Sequence, residues 1–375
     1  MSNSADFAPN WASPPGETIA EVLSSRGWTG AELASRMGKS TDVVEDLLSG
    51  TSPITIGIAR ELNRLIGASV SFWMTRDLQY RKDLERLKRA QETWVRSFPV
   101  GEMVDLGWLP QESEPRAQTL LKFFGVESML SWHRHYGALL NSVGFRTSPA
   151  FESDPSSVLA WIRQGERVAA EVSISPWSPD AVRTTLDFIR GLTRIGHPER
   201  FLPKLKTLMG ACGVAVAVVP APSGCRASGA ALWTSTENGL ILLSARHLSD
   251  DHFWFSFFHE CGHLLLHRDV SLFLDHEATL GTAAKRAETS TNRCREREAN
   301  AFAEEVLLTP AVMEALKTVS PTYKGVLRLA TRAGIAPGIL VGQLQRMGRL
   351  GPERLNRLKR RYQWMEGQLL SRRSG

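Results

Sequence analysis

Residues 258–267 read Phe-His-Glu-Cys-Gly-His-Leu-Leu-Leu-His, and this stretch contains the motif His-Glu-x-x-His. Its two histidines, His259 and His263, stand four residues apart. On an α-helix such positions lie on one face, one turn apart, so the two imidazoles can bind a single Zn²⁺ ion. Glu260, beside the first histidine, has the position of a general base that acts on a water molecule. The motif therefore predicts a metal-dependent hydrolase, of which a peptidase is the expected kind.

The sequence on both sides of the motif predicts that its helix is buried. Five aromatic residues precede the motif within 253–258, and three leucines follow it at 264–266, as in helices of a protein core. Two histidines and a glutamate are costly to bury without partners, and a metal ion would be one such partner. The alternative is a core helix whose histidines hydrogen-bond to neighbouring groups.

A third metal ligand must come from elsewhere, because a catalytic zinc usually has three protein ligands and one water. The best candidate segment, 294–310, contains apolar residues at helical spacing. These are Ala299, Phe302, Ala303, Val306 and Leu307. Glu298 flanks this stripe and is the predicted third ligand, while Glu296 and Glu304 are expected on the solvated face. The alternative for any one of these glutamates is an ordinary surface charge.

The two segments together resemble the ImmA/IrrE family of metallopeptidases. The resemblance rests on His-Glu-x-Gly-His-Leu-Leu-Leu-His and on Glu-x-Glu-Ala-Asn-x-Phe-Ala. It implies that His259, His263 and Glu298 bind zinc and that Glu260 is the base. Members of this family are best known for cleaving a helix-turn-helix repressor, so the resemblance also implies a protein substrate, such as a partner repressor, in stress or mobile-element control.

The composition is typical of a soluble globular protein with two or three domains. The chain has 375 residues, of which 42% are apolar and 22% charged. No apolar run reaches the roughly 18 residues needed to span a bilayer, and no signal peptide is visible. The four cysteines are scattered, which favours reduced thiols. We therefore expect a cytoplasmic protein with no membrane partner.

The net charge of +6 is unevenly distributed. Residues 324–375 contain 12 Lys or Arg and 2 Glu, a net charge of +10, so the remainder of the chain carries −4. A basic segment of this kind can bind phosphates or an acidic protein surface. The alternative is a solubilising helical region with interspersed arginines.

Residues 14–75 predict a compact helical domain. Thr29 is expected to cap one helix, with Glu32 completing a capping box, and Gly38 to end it. Ser40 is expected to cap the next helix. A helix, a tight glycine turn and a second helix are typical of a helix-turn-helix.

This segment also resembles the Cro/C1-type domain of HigA-like antitoxins. The resemblance rests on Pro-Gly-Glu at 15–17, Glu-Leu-Ala at 32–34, Pro-Ile-Thr at 53–55 and Phe-Trp at 72–73. It implies binding to double-stranded DNA, for which the candidate contacts are Lys39, Ser40, Thr41, Thr51 and Ser52.

The charge of the segment weakens the expectation of DNA binding. Its predicted recognition helix presents Asp42, Glu45 and Asp46 outward, and residues 14–75 carry 5 Lys or Arg against 7 Asp or Glu. Affinity for DNA comes largely from cations that contact phosphates. The alternative is a helix-turn-helix that serves dimerisation or protein docking, so a homodimer also remains open.

The order of predicted elements divides the chain into four parts. They are a helix-turn-helix domain (14–75), a helical connecting domain (76–195), a zincin-like metallopeptidase domain (196–310) and a basic carboxy-terminal helical region (311–375). In the third part, residues 214–219 predict a buried strand, and 230–234 with 240–243 predict a hairpin. An exposed strand of this hairpin is expected to pair with an extended substrate. The predicted fold is mainly α, with a small α+β zincin-like domain behind an all-α amino-terminal domain.

These features together predict a transcriptional regulator with a zinc-dependent endopeptidase domain. The competing hypothesis is a DNA-binding regulator or antitoxin whose metal site is sensory or structural. A structural zinc site normally has four protein ligands and no open position, so the number of protein ligands distinguishes the two hypotheses.

Overall fold

The computed structural model describes most of the chain. The described residues are 11–111, 115–142, 154–234, 238–270, 272–275 and 290–372. They form sixteen α-helices and six short β-strands, which confirms the predicted mainly helical fold with a small α+β part. The chain divides into two compact units, Met1–Arg96 and Ser97–Gly375. Among the described residues, no helix is both long and apolar enough to cross a membrane.

The first unit contains five helices. They are α1 (Pro15–Ser25), α2 (Gly30–Met37), α3 (Thr41–Ser49), α4 (Ile56–Ile66) and α5 (Val70–Arg96). Each of the first four places its apolar residues on one face, and these faces meet in a core with the start of α5. Ile19, Ala59 and Leu62 are fully buried there. The predicted domain boundary after residue 75 falls inside α5, which continues without a break to the end of the unit.

The helix ends of the first unit follow the sequence closely, with one exception. Thr29 accepts a hydrogen bond from the Glu32 backbone and the Glu32 side chain bonds back, so the predicted capping box is confirmed. Gly38 ends α2 in the left-handed conformation, also as predicted. Ser40 does occupy the residue before α3, but its side chain makes no capping hydrogen bond. The predicted position of the cap is therefore confirmed, but the Ser40 hydroxyl does not contribute a hydrogen bond to it.

The second unit begins with six helices that precede its sheet. They are α6 (Val100–Asp105), α7 (Arg116–Phe124), α8 (Met129–Ser142), α9 (Pro155–Ala170), α10 (Pro179–Leu192) and α11 (Pro198–Ala211). Helix α9 lies against the sheet, where the Trp161 indole donates a hydrogen bond to the Val219 carbonyl at 3.0 Å. On this side Gly165 contacts Leu242.

The sheet has four short strands in the order β1-β3-β2-β4. They are β1 (Val214–Val218), β2 (Gly229–Trp233), β3 (Gly239–Leu243) and β4 (Leu272–Asp275). Strands β1 and β3 are parallel, and the other pairs are antiparallel. The predicted strand and hairpin are therefore confirmed. Both hairpin strands have a neighbour on each side, however, so neither can take up a substrate strand, and that expectation was wrong.

The remaining elements of the second unit enclose the motif helix. They are α12 (Asp250–Leu266), α13 (Ser290–Leu307), α14 (Pro310–Thr318), α15 (Tyr323–Ala333), α16 (Pro337–Arg346), a 3-10 turn (Asn356–Leu358) and an antiparallel hairpin of β5 (Tyr362–Met365) and β6 (Gln368–Ser371). The hairpin corrects the expectation that residues 311–375 are helical throughout. One apolar core includes residues from Val182 to Leu369. The three parts that the sequence predicted separately, 76–195, 196–310 and 311–375, therefore all contribute to the same core.

Three of the basic residues near the carboxy terminus make contacts within the protein. Arg360 donates to the carbonyls of Thr193 and Arg194 at 2.7 and 2.8 Å. Arg349 bonds to carbonyls at the end of α14, and Lys359 pairs with Asp251 at 2.6 Å. The other described basic residues of this segment are mostly exposed, so both alternatives for the basic segment stay open.

Candidate metal centre

The predicted motif lies on a helix that is buried on almost every side. Helix α12 carries Trp254, Phe257 and Phe258 in its first half, all with no measurable exposure. His259 and His263 are 1% and 0% exposed, so their imidazoles lie inside the protein. Polar groups so placed need partners, and the partners of these two rings define the site.

The two imidazoles point the same ring atom at each other. His259 Nε2 and His263 Nε2 lie 2.9 Å apart, as expected for residues one helical turn apart. The other ring nitrogens are engaged elsewhere. His259 Nδ1 contacts Asn300 Oδ1 on α13 at 3.1 Å, and His263 Nδ1 contacts His267 Nδ1 at 3.2 Å. Both histidines are thereby oriented with Nε2 towards a common point.

Glu296 on α13 completes the group. Its carboxylate oxygens lie 3.3 Å from His259 Nε2 and 3.4 Å from His263 Nε2. One donor atom from each of these three residues lies within 4.8 Å of the others. The two helices approach closely because residue 262 is glycine: a Cβ there would lie 3.1 Å from the Ala299 Cα. The close packing brings the carboxylate to the histidine pair.

The third member of the group is therefore Glu296, where the sequence predicted Glu298. Glu298 is one of the more exposed side chains of this region, at 53%, and its Oε2 lies 2.8 Å from His267 Nε2. Two residues on a helix differ by about 200° in direction, so Glu296 and Glu298 leave α13 on different sides. Only Glu296 leaves it on the side of the two Nε2 atoms.

The sequence does contain a signal for Glu296. It precedes Ala299 by three residues and Ala303 by seven, and both alanines are fully buried. Residues spaced by three, four and seven share a helix face, so Glu296 is in phase with the buried stripe. Asn300, four residues further on, lies on the same side and contacts the same histidine.

The electrostatics of the group match a metal-binding role. Burial lowers the pKa of His263 below its usual value, although the hydrogen bond to Glu296 acts in the opposite direction. For Glu296, burial acts to raise the pKa, but the hydrogen bonds to His259 and His263 outweigh it and lower the pKa to about 2. A neutral imidazole and an ionised carboxylate are the forms that bind metals.

The three residues fit a divalent cation. Two imidazole nitrogens and one carboxylate oxygen form a donor set typical of zinc, and also suit other transition metals. Among the described residues the group has three members, which is the number of protein ligands in catalytic zinc sites. The Nδ1 partners of the histidines match the outer hydrogen bonds that orient metal-binding histidines elsewhere.

Glu260, the predicted base, lies on the sheet side of the motif helix. It is fully buried, and it faces the first residue of β2. A Cβ at Gly229 would lie 2.3 Å from Glu260 Oε1. The Glu260 carboxylate therefore fits in this space because residue 229 is glycine.

Residues 216–344 match the model of the peptidase family described as the IrrE N-terminal-like domain. The match begins within β1 and includes β2, β3, β4, α12 and α13, and so contains all four residues of the candidate site. It supports the predicted resemblance for this part of the chain, and it does not extend to the first unit. A search of curated proteins finds no match to the chain.

The candidate DNA contacts lie at the surface around α3. Lys39, Ser40, Thr41 and Thr51 are exposed, and Ser52 is half-buried. Asp42, Glu45 and Asp46 are also exposed on this helix, as expected from the sequence. The structure thus presents a mixed and mainly acidic surface here, and DNA binding stays a prediction.

Proposed function

We propose that this protein is a zinc-dependent endopeptidase joined to a regulatory amino-terminal unit, and that it cleaves a partner regulatory protein. The observation that carries the proposal is that donor atoms of His259, His263 and Glu296 lie close together. Glu260, the base that the motif predicts, lies on the same helix as the two histidines. The family match over residues 216–344 supports the same class of activity. The partner repressor and the role in stress or mobile-element control rest on the ImmA/IrrE resemblance alone.

The roles of the side chains follow from their chemistry. His259, His263 and Glu296 would hold the cation, which when bound would polarise the scissile carbonyl and acidify a nearby water. Glu260 would accept the proton of the attacking water and deliver it to the leaving nitrogen. The sheet and α9 exclude bulk water from the inner side of the motif helix, where Glu260 lies.

The number of protein donors favours this proposal over a structural zinc site. Structural sites have four protein ligands, whereas the group in the described residues has three. Three donors leave a coordination position for water or substrate. The competing hypothesis of a non-catalytic regulator therefore requires a sensory metal site, in which one ligand can exchange.

We propose that the first unit is a helix-turn-helix and that it brings the peptidase to the protein or DNA with which it acts. The capping box of α2, the left-handed glycine after it and the exposed α3 are consistent with this. The acidic residues of α3 make protein docking or dimerisation as reasonable a role as operator binding. Zinc as the native metal and the cytoplasmic location are also part of the proposal.

Two matched variants test the peptidase. The full-length protein loaded with Zn²⁺ would be incubated with a mixed peptide library and with the proteins of neighbouring genes, and the products read by mass spectrometry. We expect Glu260→Gln to retain zinc and lose cleavage by at least 100-fold, in the range of general acid–base effects. Glu296→Gln should lose both zinc and cleavage.

The outcomes separate the two hypotheses. Cleavage by the wild type that disappears in Glu260→Gln supports the peptidase. Zinc binding without any cleavage, together with operator binding that Glu260→Gln leaves unchanged, would support the non-catalytic regulator. Cleavage at the normal rate by Glu260→Gln would show that Glu260 is not the base.

A further inference from the structure

We propose that helix α15 carries a basic row that binds the phosphate backbone of double-stranded DNA without reading its base sequence. The basic row consists of Lys324, Arg328 and Arg332. It belongs to the second unit and lies outside the candidate metal centre. The proposal therefore adds an interaction surface that the peptidase chemistry does not use.

The three cations lie on one face of α15, because they are spaced by four residues. At a rise of about 1.5 Å per residue, successive members are about 6 Å apart along the helix axis, so the basic row is straight and about 12 Å long. Lys324, Arg328 and Arg332 are all exposed. Thr331, beside them on the helix, is exposed as well.

The opposite face of α15 is fixed in the apolar core. Val326, Leu329 and Ala330 are buried there. At the end of the helix, the Arg190 side chain donates a hydrogen bond to the Ala333 carbonyl at 2.9 Å. The basic row therefore has a rigid support, and binding would require little further ordering of the backbone.

The charges of the basic row are not neutralised within the part of the chain that the structure describes. The ion pairs of residues 311–372 involve Lys317, Arg346 and Lys359, and none involves the basic row. Like charges four residues apart destabilise a helix, and the basic row contains two such pairs. It therefore costs the folded protein stability and leaves positive charge available to an external anion.

A fourth cation, Arg357, is held at the amino-terminal end of the basic row. Its guanidinium carbon lies 4.4 Å from the centre of the Tyr323 ring, the geometry of a cation–π contact. Tyr323 is the first residue of α15, and Arg357 is exposed. The contact orders the arginine and places a charge over part of the exposed tyrosine ring.

The polar character of this face favours DNA over an acidic protein surface. Protein interfaces place apolar and aromatic side chains at their centre and are depleted of charge there. Apart from Tyr323, which Arg357 partly covers, the exposed face of α15 is instead basic or carries a hydroxyl group. A straight row of cations suits a polymer that repeats a phosphate charge along each strand, and hydroxyl groups also contact phosphates.

The helix after α15 is placed where it cannot read bases. Helix α15, the left-handed Gly334 and α16 follow one another as in a helix-turn-helix, in which the second helix enters the major groove. Here three consecutive residues of α16, Ile339, Leu340 and Val341, are buried in the apolar core together with Leu344. Contacts with DNA would therefore be made to phosphates, which carry no direct sequence information.

The test removes the charge of the basic row in the full-length protein. Fluorescence anisotropy would measure binding to two fluorescein-labelled DNA duplexes of unrelated sequence, between about 50 and 200 mM salt. We expect the wild type to bind both duplexes alike, with an affinity that falls steeply as salt rises. The combined variant Lys324→Gln, Arg328→Gln and Arg332→Gln should bind at least about tenfold more weakly at low salt, and its slope of log K against log salt should be smaller by up to about 3.

Two matched variants separate the basic row from net charge and from the identity of its side chains. One removes the same charge from three exposed residues of α10 and α11 and should bind within a few-fold of the wild type: Arg183→Gln, Arg200→Gln and Lys204→Gln. The other keeps the charge of the basic row and should retain binding: Lys324→Arg, Arg328→Lys and Arg332→Lys. Because all the substituted side chains are exposed, circular dichroism should show the same folded state in each variant.

The outcomes decide the proposal without any cleavage assay, so they are independent of the proposed peptidase. A loss of affinity for both duplexes that is confined to the variant lacking the charge of the basic row supports it. A wild type that binds neither duplex, an unchanged affinity and salt slope in that variant, or an equal loss in the α10 and α11 variant would overturn it. Displacement of the labelled duplex by polyglutamate as effectively, per charge, as by unlabelled duplex would indicate an acidic protein partner and would also overturn it.

Discussion

Gly229 is the residue whose lack of a side chain most directly affects the candidate site. A Cβ at this position would lie 2.3 Å from Glu260 Oε1 and 2.9 Å from its Cγ. Contacts this short force the carboxylate or strand β2 to move. We therefore expect Gly229→Ala to lower the free energy of unfolding by about 1–3 kcal/mol and to reduce cleavage strongly, while zinc affinity stays within a few-fold of the wild type.

Urea unfolding, the cleavage assay and zinc competition together check this prediction. Gly191→Ala is the control, because Gly191 lies on α10 and a Cβ there meets no atom within 4 Å. Removing an exposed helical glycine should stabilise the protein by up to about 1 kcal/mol. If Gly229→Ala behaved like Gly191→Ala, the close approach to Glu260 would have no functional consequence.

The residues of the site show which part of it a sequence can predict. The two histidines and Glu260 belong to one short motif, so their shared helix was evident from spacing alone. The third acid lies on another helix, and its choice depends on how α13 packs against α12. The apolar stripe led to the choice of Glu298 and placed Glu296 on the solvated face, whereas the close contact of Gly262 with Ala299 turns the Glu296 side of α13 towards the histidines. Glu298 instead contacts His267 at 2.8 Å, and no spacing rule connects these two residues.

At the level of elements, the two helix starts of the first unit offer a matched comparison. Thr29 makes its capping hydrogen bond, whereas Ser40 at the equivalent position of α3 makes none. Losing a formed cap costs about 1 kcal/mol. We expect Thr29→Ala to increase amide hydrogen exchange across residues 30–37 by about fivefold, and Ser40→Ala to change exchange across 41–49 by much less.

Hydrogen exchange followed by mass spectrometry measures both segments in one experiment. An equal effect of the two substitutions would mean that the Ser40 hydroxyl also caps its helix in solution. The comparison also shows which features of a helix start a sequence can predict and which it cannot. A helix start is visible from a residue type and its neighbours, but the orientation of one hydroxyl is set by the chain that precedes it.

The sheet was less predictable than the helices. The hairpin of β2 and β3 follows from local pairing, and the register confirms it. The partners on either side, β1 and β4, are distant in sequence, and β4 has only four residues. These distant pairings place the hairpin in the interior of the sheet, which is why the expected substrate edge was wrong.

At the scale of the molecule, the carboxy-terminal segment is fastened to the start of the motif helix. Asp250 Oδ1 accepts a hydrogen bond from the Arg360 backbone at 3.0 Å, and the Asp250 backbone donates to the Arg360 carbonyl at 3.1 Å. The next residue, Asp251, pairs with Lys359. Two adjacent buried carboxylates thus join residues more than a hundred positions apart. Within the part of the chain that the structure describes, Asp251 has a cation within ion-pair distance and Asp250 has none.

Because Asp251 has an ion-pair partner among the described residues and Asp250 has none there, we expect Asp250→Asn and Asp251→Asn to have opposite effects on the free energy of unfolding. Burial, and then the charge of Asp251, raises the pKa of Asp250 to about 7 from 3.8. Between these values the folded protein retains a proton that the unfolded chain releases, so its contribution to stability is complete below about pH 4 and is lost as the pH rises through 7. Asp250→Asn removes this dependence. We expect the stability of the variant relative to the wild type to be greater at pH 8 than at pH 5, by about 1–3 kcal/mol.

Asp251→Asn should behave differently, because it leaves Lys359 buried without its carboxylate. Breaking a buried ion pair costs about 3–5 kcal/mol, and we expect a loss of this order at pH 8. Urea unfolding of the full chain at pH 5 and pH 8 measures all three proteins. A loss of stability in Asp250→Asn at pH 8 would mean that the Asp250 carboxylate is stabilised in the folded protein, with Arg360 compensating for its burial. The motif helix would then be anchored by two ion pairs, and the carboxy-terminal segment would hold it most firmly at neutral pH and above.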